Sequence, residues 1–354
     1  MSRFFSEKYK TLEPYTPGEQ PRDMKYVKLN TNESPFPPSE LAVREAAKAA
    51  ETMQLYSDPE CTLLVEKFAE VYGVAKDEVL FTNGSDEILN FAFMAYCDAA
   101  HPAAFPDISY GFYPVFAEIN GVPYTEIPLR DDFSIDAGDY VGIRKTIFIA
   151  NPNAPTGIAL PVPEIERILR GNPDNVVVID EAYVDFGAES CLPLIRKYDN
   201  LLVAQTFSKS RSMAGARLGF GVANPAIIRD LNTIKYSTNP YNVNRMTMAA
   251  GVGVLSDEAY TKRNCLAVRE NRAFTVAELK KLGFTMTDST ANFIFAHHPK
   301  IDGEELYRRL KARGVLIRHF AKRAIRDYNR ITIGTREQMQ LLIDNIREIL
   351  EETA

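Results

Sequence analysis

Residues 176–183 read Val-Val-Val-Ile-Asp-Glu-Ala-Tyr, an uninterrupted apolar run that ends in a carboxylate. A strand without polar alternation is buried on both faces, which is typical of the parallel strands of α/β proteins. Similar apolar runs occupy residues 145–150, 201–206 and 217–223, and helical segments alternate with such runs. The pattern predicts an α/β fold whose mainly parallel central sheet carries helices on both faces.

The regions outside this core differ from it in composition. The first forty residues are rich in proline and predict an irregular N-terminal arm. The last hundred residues switch to longer helical patterns with isolated short strands, as in a smaller α+β domain. We therefore predict an arm over 1–40 that joins the small domain, a large ligand-binding domain over 41–250 and the small domain over 251–354. A chain of 354 residues is long enough for this division.

The composition is that of an ordinary globular protein, with 45% hydrophobic and 25% charged residues. The modest net charge of −6 argues against nucleic acid as the main partner. The N-terminus has no apolar leader, and no apolar run approaches the length of a membrane span. These features predict a soluble, cytoplasmic protein with no membrane partner.

The metal-ligating residue types are scattered along the chain. The four cysteines lie far apart without a Cys-x-x-Cys motif, and the four histidines show no metal-ligand spacing. We therefore predict neither a disulfide framework nor a metal site. The residues concerned are Cys61, Cys97, Cys191, Cys265, His101, His297, His298 and His319.

One lysine lies in an unusually small and polar loop, directly after the apolar run 201–206. Lys209 has serines on both sides, Thr206 three positions before it and Arg217 eight positions after it. Small neighbours let a bulky ligand reach the amine, and Thr206, Ser208 and Arg217 suit a phosphate dianion. A phosphate beside a reactive amine favours pyridoxal 5'-phosphate (PLP), whose aldehyde forms a Schiff base with lysine.

Two further polar clusters follow predicted strands. The turn Asn-Gly-Ser-Asp at 83–86 could bind an anion through its free backbone amides and the helix dipole; alternatively, Ser85 simply caps the helix. Asp180 could hold a pyridine nitrogen protonated, with Tyr183 near the ring oxygen, or it could cap the next element. Because ligands bind at the carboxyl ends of parallel strands, we expect these clusters to lie close to Lys209.

Two loops have both a structural and a functional interpretation. Tyr110 follows a loop and could stack on a cofactor ring, although core packing is the usual role of such a side chain. Residues 151–157 follow the strand run 145–150, and their prolines and glycine are explained by a tight turn alone.

Taken together, these motifs resemble those of fold-type-I PLP-dependent aminotransferases of the aspartate aminotransferase superfamily. In chain order they are Asn-Gly-Ser-Asp-Glu at 83–87, Asn-Pro-Asn-Ala-Pro-Thr-Gly at 151–157, Asp-Glu-Ala-Tyr at 180–183, and Ser-Lys at 208–209 with Arg217. The fuller pattern is similar to that of the histidinol-phosphate aminotransferases, a class II family. Segments 29–35, 56–59, 240–244 and 330–335 extend the resemblance over nearly the whole chain.

The resemblance implies a role for each motif residue. Lys209 would be the Schiff-base lysine, Asp180 the partner of the pyridinium, and Tyr183 the donor to the ring oxygen. Tyr110 would stack on the ring, and Tyr56 would reach the phosphate of the neighbouring subunit, which implies a homodimer with shared active sites. The phosphate cup would consist of Gly84, Ser85, Asp86, Thr206, Ser208 and Arg217.

One position departs from the family pattern. The family usually has asparagine directly before Pro-Thr-Gly, where its amide contacts the ring oxygen, whereas this chain has Ala154. Either Asn153 takes over that contact or Tyr183 makes the contact alone.

The substrate-binding residues are also implied by the resemblance. Arg330 resembles the arginine that binds the α-carboxylate in amino-acid aminotransferases, and Arg318 and Tyr15 would add two contacts. Two arginines and a tyrosine suit a phosphate dianion, although Arg318 could also be a surface arginine of a strand.

The resemblance thus implies transamination of L-histidinol phosphate with 2-oxoglutarate, giving imidazole-acetol phosphate and L-glutamate in histidine biosynthesis. An aromatic amino-acid aminotransferase, a threonine-phosphate decarboxylase and a PLP-binding protein without turnover are the alternatives.

Overall fold

The structure, a computed structural model, describes residues 2–352 and centres on a seven-stranded sheet in the order β2-β8-β7-β6-β5-β3-β4. Only β8 runs antiparallel to its neighbours β2 and β7, while the other neighbouring pairs are parallel. The predicted mainly parallel sheet is therefore confirmed. Its strands are β2 (Val79–Thr82), β3 (Ala103–Pro106), β4 (Tyr124–Ile127), β5 (Thr146–Ala150), β6 (Val177–Asp180), β7 (Leu201–Thr206) and β8 (Gly219–Ala223).

Helices cover both faces of this sheet. One face packs against α1 (Glu40–Ala50), α2 (Thr62–Tyr72), α5 (Val162–Gly171) and α7 (Arg245–Leu255). The other packs against α3 (Ser85–Tyr96), α4 (Phe112–Asn120) and α6 (Pro225–Thr238). Successive side chains of a strand point to opposite faces, so Val177 and Ile179 enter the first core and Val178 the second. This explains the continuous apolar run that predicted the strand.

A smaller antiparallel sheet has the order β12-β13-β10-β9. Its strands are β9 (Thr285–Met286), β10 (Phe293–His297), β12 (Arg318–His319) and β13 (Tyr328–Thr332), and they pack with α8 (Glu258–Lys281), α9 (Gly303–Ala312) and α10 (Arg336–Glu351). In the arm, β1 (Val27–Lys28) pairs in parallel with β11 (Val315–Leu316). We retain the division at 1–40, 41–250 and 251–354 as a proposal that this pairing supports.

None of the helices within residues 2–352 combines the length and the apolar character that a membrane crossing requires.

Candidate active site

A cavity of about 550 Å³ lies at the carboxyl ends of β6 and β7, between the large sheet, the arm and the small sheet. Its walls contain most of the residues that the sequence predicted for a binding site. These are Tyr15, Ser85, Asp86, Tyr110, Asp180, Tyr183, Thr206, Ser208, Lys209, Arg217, Arg318 and Arg330. Residues distant in sequence therefore share one site, as expected from strand ends that meet at one edge of a sheet.

Asp180 ends β6 as a buried carboxylate with few partners. The backbone N–H of Ala182 donates to it at 3.2 Å and the Tyr113 hydroxyl at 3.3 Å. Burial, followed by the negative charge of Asp86, raises the pKa of Asp180 to about 7. No lysine or arginine within residues 2–352 pairs with it. A cationic group placed against Asp180 would therefore be strongly favoured.

Lys209 follows β7, and its amine points into the same cavity. Its Nζ donates to the Thr31 carbonyl at 3.2 Å. Burial, followed by the positive charge of Arg330, lowers the pKa of this amine to about 8. A lysine whose charged form is disfavoured loses its proton readily and can then act as a nucleophile or base.

The turn before α3 forms a cradle with the start of β8. Gly84 has φ 80° and ψ 161°, a conformation essentially restricted to glycine, and a Cβ there would lie 2.4 Å from Nη2 of Arg217. A Cβ on Gly219 would lie 2.2 Å from the amide nitrogen of Ser85. The two glycines therefore allow the Arg217 guanidinium and the first amides of α3 to approach one point.

The helix boundary decides between the two interpretations of this turn. Gly84 occupies the cap position and Ser85 is the first helical residue, so Ser85 does not cap the helix through its side chain. The first N–H groups of a helix lack intrahelical acceptors. Together with the helix dipole and Arg217, they make this end of the cavity suitable for an anion.

Hydrogen bonds among the cradle side chains orient their donors. Arg217 donates to Asp86 at 2.9 Å, and the Tyr110 hydroxyl donates to the same carboxylate at 2.6 Å. The Thr206 hydroxyl donates to Oγ of Ser208 at 3.0 Å. The Thr206 hydroxyl also lies within hydrogen-bond distance of the Leu218 carbonyl, at 3.3 Å, and the Ser208 N–H donates to Oγ1 of Thr206 at 3.1 Å.

Tyr183 has a partner that the sequence did not predict. Nδ2 of Asn32 donates to its hydroxyl oxygen at 3.0 Å, and Asn32 is 1% exposed. Segment 29–35 supported the family resemblance, but nothing in it indicated a contact with Tyr183. The only available signal was an asparagine at a position that proved to be buried.

Two predicted cofactor-binding residues are not among those that line this cavity. Asn153 is buried, its Oδ1 accepts from Ser109 at 2.7 Å, and its Nδ2 donates to the Ile108 carbonyl at 2.9 Å. Ala154, not Asn153, lines the cavity. A ring-oxygen contact through Tyr183 alone stays a prediction. Tyr56 also lies outside the cavity of its own chain.

Two arginines stand side by side at the other end of the cavity. Arg318 on β12 is the cross-strand partner of Arg330 on β13. Arg318 donates to the carbonyls of Pro17 and Thr16 at 3.1 and 3.0 Å, and Arg330 donates to the Asn30 carbonyl at 3.0 Å. Neither forms an ion pair with a carboxylate among residues 2–352. Facing like charges are unfavourable, so this pair would be stabilised by an anion.

Burial shifts the pKa values of the ionisable side chains at this end of the cavity. Burial lowers the pKa of Arg330, and the charge of Arg318 lowers it further. Burial raises the pKa of Tyr15, although both arginines oppose that shift. Tyr15 therefore stays a neutral hydroxyl that can donate to an anion beside two cations.

Comparisons with known proteins extend over nearly the whole chain. A sequence model of the family described as Aminotransferase class I and II matches residues 24–346. Histidinol-phosphate aminotransferase of Brachyspira hyodysenteriae (strain ATCC 49526 / WA1) is 46% identical over 353 residues, covering 99% of this chain and 100% of that protein. Histidinol-phosphate aminotransferase 2 of Dechloromonas aromatica (strain RCB) is 47% identical over 354 residues, covering 99% of each.

Solved structures share the fold at lower sequence identity. The histidinol-phosphate aminotransferase from Clostridium acetobutylicum superposes with a TM-score of 0.85 at 22% identity, covering 92% of this chain and 99% of that one. The enzyme of that name from Sinorhizobium meliloti, in complex with pyridoxal-5'-phosphate, has a TM-score of 0.84 at 23% identity, covering 93% and 92%.

Proposed function

Because this chain belongs to the family of class I and class II aminotransferases, we propose that it is a PLP-dependent histidinol-phosphate transaminase. The reaction is L-histidinol phosphate plus 2-oxoglutarate to imidazole-acetol phosphate plus L-glutamate, a step of histidine biosynthesis. Relatives that are 46% and 47% identical over 99% of the chain carry the name of this enzyme. The four free cysteines suit the reducing cytoplasm in which we place the protein.

The groups that line the cavity fit PLP. Asp180 is a buried carboxylate with which no lysine or arginine of the described residues pairs, and this matches a protonated pyridine nitrogen. The cradle at Gly84 and Arg217 matches a phosphate, and the Lys209 amine matches an aldehyde. Tyr183 accepts from Asn32 and so retains its own proton for a ring oxygen. When bound, PLP supplies an electron sink that stabilises negative charge at the α-carbon of the substrate.

The protein's own contribution is proton transfer and charge placement. A pKa lowered to about 8 leaves part of the Lys209 amine unprotonated near neutral pH, and this form has a free electron pair. It can therefore take a proton from the α-carbon of the substrate and return it to a neighbouring carbon. Asp180 keeps a positive charge on the ring nitrogen, because an unpaired carboxylate is costly at a buried position.

In this proposal, Arg318 and Arg330 determine which amine donor the enzyme prefers. Arg318 and Arg330 are adjacent, lack a carboxylate partner within residues 2–352 and line the cavity that also contains Lys209. This arrangement supports a donor with a phosphate dianion, since guanidinium groups bind phosphate through paired, charge-assisted hydrogen bonds. The same pair could hold a carboxylate, so an aromatic amino acid is the main alternative.

Parallel kinetics with three amine donors test the assignment. We expect kcat/KM for histidinol phosphate, with 2-oxoglutarate as acceptor, to exceed the values for phenylalanine and threonine phosphate. A preference for phenylalanine would indicate an aromatic aminotransferase instead. Release of carbon dioxide from threonine phosphate would indicate a decarboxylase.

The exposed surface around Tyr56 supports a homodimer with shared sites. Tyr56 is 81% exposed and stacks on Tyr241 with 4.6 Å between ring centroids. Large apolar side chains nearby in sequence are also exposed, which is typical of a protein interface. They are Val43, Met53, Leu55 and Leu63. We propose that this surface meets a second copy and that Tyr56 contributes to the active site of that copy.

Hybrid dimers test the shared site. Lys209→Ala homodimers should be inactive, and Tyr56→Ala homodimers should bind PLP weakly. In a hybrid of the two variants, one site receives both native residues and the other receives neither. Activity should therefore reappear on mixing and subunit exchange. If it does not reappear although hybrids form, Tyr56 does not act across the interface.

A further inference from the structure

Asn32 connects three parts of the chain through one buried side chain. It belongs to the arm, its Nδ2 donates to Tyr183 after β6 at 3.0 Å, and its Oδ1 accepts from the Thr332 hydroxyl at 3.0 Å. Its backbone N–H donates to the same Thr332 oxygen at 3.0 Å. Asn292 donates to its carbonyl at 2.9 Å. Every polar group of Asn32 is therefore engaged.

The backbone conformation of Asn32 is also unusual. Its φ is 56°, in the left-handed region that asparagine visits more readily than most other residues. The surrounding hydrogen bonds hold this conformation in place.

Thr332 determines which way the Asn32 amide faces. The Thr332 hydroxyl oxygen already accepts the Asn32 N–H, so its single proton must go to another acceptor. Within residues 2–352 that acceptor is Oδ1 of Asn32. With Oδ1 directed to Thr332, the amide nitrogen must face Tyr183.

This orientation decides the direction of the Tyr183 proton. The Tyr183 oxygen accepts from Asn32, so its own O–H points elsewhere, and no acceptor for it exists among residues 2–352. Tyr183 lines the cavity, close to Lys209. A hydroxyl that accepts a hydrogen bond also becomes a stronger donor.

We propose that Asn32 is a positioning residue that directs the hydroxyl proton of Tyr183 into the cavity, where it is available to the bound cofactor. The inference rests on the proposed function only in requiring that PLP binds. Because Asn32 is held by Thr332 and Asn292, the direction of this proton depends on the packing of the small sheet against the arm.

The test is a double-mutant cycle between Asn32 and Tyr183. Asn32→Gly removes the amide without strain, because glycine adopts a φ of 56° freely. We expect it to weaken PLP binding about fivefold, the value of one ordinary hydrogen bond. In a Tyr183→Phe background the same substitution should change the dissociation constant less than about twofold, since the group on which it acts is gone. Equal losses in both backgrounds would overturn the proposal.

A shape-preserving variant provides a second test. Asn32→Asp retains the acceptor for Thr332 but places a second acceptor against the Tyr183 hydroxyl, which turns the proton away from the cavity. We expect weaker PLP binding than in Asn32→Gly and a shift of the pH at which the visible absorption of the holoenzyme titrates. PLP binding equal to or tighter than that of Asn32→Gly would contradict the assigned direction.

Two controls separate this proposal from a structural role and from the assigned reaction. Thermal unfolding of the cofactor-free variants measures any general loss of stability, which would affect both Tyr183 backgrounds alike. If the unmutated protein binds PLP but does not transaminate histidinol phosphate, the proposed function fails, whereas the cycle still decides the role of Asn32.

Discussion

The two ends of the active-site cavity carry unneutralised side-chain charges of opposite sign. At the inner end, which contains Asp180, Lys209 and Arg217, the Arg217 guanidinium is paired with Asp86, and no lysine or arginine among residues 2–352 pairs with the carboxylate of Asp180. At the outer end, the hydrogen bonds that Arg318 and Arg330 donate within the described part of the chain all go to backbone carbonyls. The inner end therefore favours a group with a positive nitrogen, and the outer end favours an anion.

The two ends also come from different parts of the fold. The inner end is built on strand ends of the large sheet, whereas the outer end is built on β12, β13 and the arm. In the proposed function, PLP binding therefore belongs to the large sheet, and the choice of donor belongs to the small sheet and the arm. Four substitutions test this separation.

The largest effect is expected for Lys209→Ala. Loss of the amine removes both the covalent link to PLP and the group that moves the proton, so kcat should fall up to about ten-thousandfold with every donor. The measurements are kcat and the mass of the protein after borohydride reduction. Lys197→Ala, at an exposed lysine paired with Glu166, is the matched control and should leave both unchanged. Undiminished turnover in Lys209→Ala would refute the proposal that Lys209 links to PLP and moves the proton.

The charge of Asp180 should appear as a pH dependence of stability in the cofactor-free protein. Folding raises its pKa from 3.8 to about 7, so the folded state binds the proton more tightly than the unfolded state. Stability should therefore fall as pH rises from about 4 to 7, by on the order of 4 kcal/mol. Urea unfolding at several pH values measures this. Asp180→Asn should remove most of that slope, while Asp174→Asn, at an exposed position, should preserve it. An unchanged slope in Asp180→Asn would contradict the interpretation.

The outer end should discriminate between donors. Arg318→Ala should lower kcat/KM for histidinol phosphate about tenfold to a hundredfold, the value of a charge-assisted hydrogen bond. The loss with phenylalanine should be smaller, because its carboxylate carries less negative charge than a phosphate dianion, and part of that loss should report the arm contacts at Thr16 and Pro17. Arg323→Ala, at an exposed arginine after β12, is the control. Equal losses of kcat/KM with both donors would indicate that Arg318 holds the arm in place and does not bind the phosphate of the donor.

The smallest effect is expected at the cradle. Gly84→Ala should cost about 1 to 3 kcal/mol of stability because its backbone conformation is nearly exclusive to glycine. It should also weaken PLP binding, since the new methyl displaces the Arg217 guanidinium. Gly73→Ala has a comparable φ of 67° with no atom within 4 Å, so it should lower stability alone. Thermal unfolding and PLP titration separate the two effects, and equal PLP affinities would exclude Gly84 from the cradle.

Much of the sheet was predictable because buried strands leave a strong pattern. The runs at 145–150 and 201–206 correspond to β5 and β7, and the family match confirms the resemblance that the motifs indicated. The strand predicted over 217–223 begins only at Gly219, because Arg217 adopts a left-handed φ of 57°. β4 lies at the edge of the sheet with exposed side chains, so no apolar run marked it.

The sequence by itself determined the fold class and the identity of the motif residues, because burial patterns and short motifs are local properties of the chain. Only the tertiary structure decided which side chains share the cavity. It joined Asn32 to Thr332, placed Arg318 beside Arg330 and engaged the Asn153 amide with Ser109 and Ile108. These relations depend on hydrogen bonds and strand pairing between segments that are mostly distant in sequence, and such contacts exist only once the chain has folded.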